Sequence, residues 1–79
     1  MKLFGYSAES EKGNATGLAE VTLVACSAEL LVIASFLLAA AEGMEKRDLD
    51  WEHEHLSDKH KEFQDSPHLV VFNPEAGSR

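Results

Sequence analysis

The residues with the clearest chemical potential are Trp51-Glu52-His53-Glu54-His55. In an extended chain alternate side chains point the same way, so His53 and His55 project to one side about 7 Å apart. Two imidazoles so placed can share a metal such as Zn²⁺, and His60 or His68 could supply a third ligand. The same five residues also suit a partner-binding surface. Trp is a common anchor at protein interfaces, and the carboxylates would add specificity. A third reading is a solvated strand face of mixed charge. The spacing leaves all three open.

Other chemistry finds less support. Glu52 and Glu54 share a strand face, but a glycosidase pair needs two acids converging on a cleft, and a small domain rarely forms one. No G-x-S-x-G singles out a serine. Gly13 and Gly17 are not followed by a Lys-bearing helix, so there is no phosphate loop. Acid–base work by either His needs only suitable geometry and has no motif behind it. No cofactor and no enzymatic activity are expected.

These residues must be held by something, and the segment able to nucleate a core is Ser27 to Lys46. Ser27 is a suitable N-cap. Glu29 falls near the positive end of the helix dipole, and Lys46 and Arg47 near the negative end. Leu30, Ile33, Ala34, Leu37, Ala40, Ala41 and Met44 recur at three and four, which predicts one shared apolar face. Ser35, Glu42 and Glu45 mark a narrow polar strip, flanked by Leu31 and Leu38 on one side and Val32 and Phe36 on the other. An ordinary surface helix has a wider polar face. Either alanines and a few partly exposed apolar side chains need no special cause, or a second contact surface accounts for this, most simply a symmetric dimer through Leu31, Val32, Phe36 and Leu38. The charge-free run from Leu30 to Ala41 is too short to span a bilayer.

Around the helix, Met1 to Tyr6 and Leu18 to Ala25 read as strands, with a loop from Ser7 to Gly17. Leu49 to Leu56 alternates and reads as a third strand. Ser57 to Pro67 reads as a charged loop or short helical turn anchored by Phe63. His68 to Asn73, between Pro67 and Pro74, is a fourth strand, and Glu75 to Arg79 a tail. The order β-β-α-β-β predicts a single α+β domain over residues 1–79. Its economical form is a four-stranded, mostly antiparallel sheet with the helix packed on one face.

Composition bounds the partners. Seventy-nine residues make one small core that gains from outside help, and the single cysteine, Cys26, cannot close an internal disulfide. Its place beside an apolar strand predicts a small buried residue. A formal charge of −7 argues against nucleic acid and suits a basic protein partner. No signal-peptide pattern is read at the N-terminus, so the cytoplasm is the expected compartment and Asn14-Ala15-Thr16 an accidental glycosylation pattern.

The strand L-A-E-V-T-L-V-A, the helix opening S-A-E-L-L and ending F-L-L-A-A-A-E-G-M, the string E-H-E-H-L and the closing L-V-V-F-N together resemble small immunity proteins of bacterial polymorphic-toxin systems. The resemblance is to the numbered family thirty-two, and it covers Leu18 to Asn73. It implies a non-enzymatic inhibitor that binds and neutralises a cognate toxin in the same cytoplasm. His53 and His55 are the motif positions carried over.

Overall fold

The central helix, α1, spans Ser27–Arg47 in a computed structural model that describes residues 1–7 and 17–76. The expected loop over residues 7–17 and the Asn14 pattern lie almost wholly outside the described residues, as do the last three residues of the tail. The helix starts one residue earlier than its best capping residue suggests. Cys26, not Ser27, is the N-cap, and its backbone N–H donates to Glu29 Oε1 at 3.0 Å. That bond is the half of a capping box in which the third helical residue reaches back to the cap. Cys26 is exposed, which corrects its expected burial: the cap position holds it at the helix mouth rather than under the sheet.

The buried face of α1 is also rotated from the expected one. Ile33, Phe36 and Ala40 are buried, with Val32, Gly43 and Met44 beside them half-covered. Leu30, Ala34, Leu37 and Ala41 are exposed. Phe36 is therefore core rather than interface, and Val32 packs against the core as well. A stripe centred between Ile33 and Phe36 brings the largest side chain of the helix inward, and that outweighs the longer Leu/Ala repeat. By length and composition Ser27–Asp50 is apolar enough to cross a membrane, which corrects the expectation that the apolar run is too short; 17% of its apolar window is buried, and core helices and signal sequences pass the same test.

The α+β class holds, but the four-stranded sheet does not form. The described residues form two two-stranded antiparallel sheets instead. In the first, β1 (Lys2–Ser7) pairs with β2 (Leu18–Val24), with a register irregularity between Tyr6 and Ser7. In the second, β3 (His53–His55) pairs with β4 (Val70–Phe72). The expected third strand is cut at both ends. A 3-10 turn occupies Asp48–Asp50, and a short helix, α2, begins at Leu56 and runs to Lys59. Asp48 has φ 52°, a left-handed value that turns the chain sharply at the end of α1. The turn delivers Trp51 beneath the helix instead of into a sheet. A second 3-10 turn, Lys61–Phe63, follows α2.

The core is small. Ile33, Phe36, Leu56 and Phe63 form it, with Met1, Ala25, Leu69 and Val71 packed around. Phe63 anchors its segment as expected, being fully buried. Glu29 ties the first strand to the helix: the Met1 ammonium donates to its Oε2 at 2.8 Å and to Ser66 Oγ at 3.2 Å.

Candidate protein-binding face

The register of the second sheet sets its two faces. His53 pairs with Phe72, Glu54 with Val71 and His55 with Val70. Directly opposed residues of an antiparallel pair lie on the same face. One face thus carries His53, His55, Val70 and Phe72, and the other carries Glu54 and Val71. Val71 packs on the core. The Glu54 carboxylate stands 3.7 Å from Lys59 Nζ. Two backbone bonds extend the sheet beyond its three-residue strands: Leu56 N–H donates to the Leu69 carbonyl at 2.9 Å, and Asn73 N–H to that of Glu52 at 2.7 Å. These bonds hold a very short sheet in one register.

The outward face is aromatic. The His53 and Phe72 rings stack, with centroids 6.3 Å apart and planes 21° from parallel. His55 meets His53 edge to face, 5.2 Å between centroids. Phe72 is 61% exposed, and Val70 beside it is exposed too. Glu52 lies at the rim, its Oε1 2.8 Å from His53 Nδ1. A proton on Nδ1 makes this a hydrogen bond and fixes the ring against the sheet, leaving Nε2 as the ring's other polar atom. Such a face offers apolar area with a polar edge, the composition of a binding patch.

Of the expected site residues, His53 and His55 do share a side, with Glu52 beside them. Trp51 does not join them. It is 7% exposed and lies against α1 at Gly43, because the turn at Asp48 breaks the alternation before β3 starts. Glu54 faces away, into a groove of about 520 Å³ that Trp51, Phe36, Arg47, Lys59 and His60 also line. The expected third metal ligand is not supplied. His60 sits edge-on to Phe36, 6.5 Å between centroids, and His68 is exposed ahead of β4. Among the described residues no three of His, Cys, Asp and Glu gather to hold a metal ion.

Phe72 and Val70 were not legible as site residues. Their signal was the alternation within H-L-V-V-F-N, but only the β3–β4 register puts them beside the histidines. Asn73 was missed for the same reason. It is buried, its Nδ2 donating to the carbonyls of Trp51 (2.9 Å) and Asp48 (3.2 Å) and its Oδ1 accepting from Glu75 N–H (3.0 Å). It fastens the end of β4 to the turn that precedes β3.

Comparison of the chain with protein-family models, with characterised proteins and with solved structures finds no match.

Proposed function

We propose that this chain is a non-enzymatic protein-binding module that docks a basic partner on the outward face of the β3–β4 sheet. The observation that carries the reading is the exposed stack of Phe72 on His53, with His55 and Val70 alongside and Glu52 at the rim. An aromatic side chain left largely in water on this short sheet is an apolar group of the kind enriched at interface cores. A net charge of −7 favours encounter with a positively charged surface and speeds association at low salt. The toxin-immunity resemblance gives one concrete partner of that kind, a basic toxin made in the same cell.

The test is coexpression and titration with the product of the neighbouring gene. Phe72→Ala is expected to weaken binding by about 2 kcal/mol, roughly thirtyfold. Glu52→Lys is expected to slow association more than it speeds dissociation. Unchanged affinity in both variants, or no binding at all, removes the reading.

One observation favours a second reading. The His53 and His55 rings, 5.2 Å apart, are close enough for two imidazoles to grip one divalent ion. Calorimetric titration of Zn²⁺ into wild type and a His53→Ala, His55→Ala double variant separates the two. No heat beyond that of the variant discards the metal site.

A further inference from the structure

The groove behind Glu54 takes no part in the outward face of the β3–β4 sheet. It encloses about 520 Å³, within the range of sites that hold small molecules. Its apolar walls come from two elements. Phe36, Ala39 and Ala40 supply one from α1, and Trp51 supplies the other from the turn before β3. Gly43 lets them meet: an added Cβ there would stand 2.5 Å from Trp51 Nε1, so its absence allows the indole to lie close against the helix.

The polar groups on these walls are incompletely used. Trp51 is 7% exposed, and a buried indole N–H normally finds a hydrogen-bond partner. Among the described residues this one meets no acceptor. No fully buried side-chain nitrogen or oxygen among those residues lacks a partner. The Trp51 N–H must therefore reach solvent, and the space that Trp51 lines is the groove. Arg47 and Lys59 line it too. Lys59 Nζ stands 3.7 Å from the Glu54 carboxylate, whereas Arg47 has no carboxylate partner among the described residues. Two cations against one carboxylate leave the groove positive in a chain whose formal charge is −7.

We propose that this groove binds a small aromatic carboxylate, its ring against Phe36 and Trp51 and its charge between Arg47 and the Trp51 N–H. Both donors then complete bonds that the chain leaves open. The guanidinium fork matches the two oxygens of a carboxylate, and a bond to a charged acceptor is stronger than a neutral one. A flat ring is the body that aromatic walls hold best, through offset or edge-on contact. Glu54 would repel a second negative charge, so a monoacid fits better than a diacid. Glu54 and His53 point to opposite faces of the sheet, so ligand binding here and partner docking there succeed or fail separately.

Trp51 is the only tryptophan. A nitrogen-15-labelled chain therefore gives a single indole N–H resonance, which reads the groove directly. Titration with 2-naphthoate is expected to shift that resonance saturably. The uncharged analogue 2-naphthalenemethanol is expected to bind at least about tenfold more weakly, as is 2-naphthoate to Arg47→Gln. Ala39→Phe, at an exposed position of α1, is expected to fill the groove and abolish the shift. The comparison of acid with alcohol in the wild type depends on no variant's folding. An indole resonance unmoved by millimolar 2-naphthoate, equal binding of acid and alcohol, or full affinity in Arg47→Gln overturns the proposal. So does a response confined to the backbone amides of His53 and Phe72, which would place the acid on the outward sheet face.

Discussion

Asn73 is a buried polar residue with all its side-chain bonds made inside the chain. Its amide donates to two carbonyls of the 48–51 turn, so the choice of amide over carboxylate is not neutral. Asn73→Ala is expected to cost about 1–3 kcal/mol through lost bonds. Asn73→Asp should cost more, because it turns a carboxylate toward two carbonyl oxygens in a buried site. Urea denaturation checks the order; an Asp variant as stable as wild type contradicts it. Gly43 gives a second test at this scale. Alanine favours a helix interior over glycine by about 1 kcal/mol. Here, however, an added Cβ would meet Trp51 Nε1 at 2.5 Å and Cδ1 at 2.8 Å. The Trp51 ring is buried and must shift to make room, so Gly43→Ala is expected to destabilise by about 1–3 kcal/mol. A higher melting temperature in that variant would show that the ring moves freely. Neither role was legible beforehand. A buried Asn and a helix Gly acquire meaning only when the chain that crosses them is known, and Trp51 reached Gly43 through a left-handed residue, Asp48, that no pattern marks.

At the scale of elements, the long helix was the most legible part, because its apolar run and end charges are local signals. Its facing was not. Leu30, Ala34, Leu37 and Ala41 recur as regularly as Ile33, Phe36 and Ala40, and a sequence with two apolar stripes does not say which is the core. The two sheets divided in the same way. The long β1–β2 strands announce themselves, while β3 and β4 are three residues each and depend on flanking bonds and Asn73 for their register. The junction of β1 with α1 makes a prediction about pH. The Met1 ammonium, with help from the Cys26 backbone and thiol, lowers the Glu29 pKa from its ordinary 4.5 to about 2. A carboxylate whose pKa falls on folding contributes stability that is complete above the unfolded value and is lost as pH drops toward the folded one. Glu29→Gln should therefore melt below wild type at neutral pH, with the gap closing between pH 4.5 and 2. Thermal melts across that window check it, and a gap independent of pH would mean that Glu29 acts by packing alone.

The whole molecule is a helix with work on two sides. One side closes a small core over Leu56 and Phe63 and holds the short sheet that presents His53 and Phe72. The other leaves Leu31 and Leu38 exposed to water. The chain of 79 residues is acidic, with a small core and much exposed apolar area. The most direct measurement is calorimetric titration of the neighbouring gene product into wild type and into Phe72→Ser, with the variant's melting curve recorded alongside. Saturable binding by the wild type and a loss of at least about tenfold in the variant are predicted, with no change in melting. Equal affinity in the two proteins, or no binding by the wild type, would contradict it.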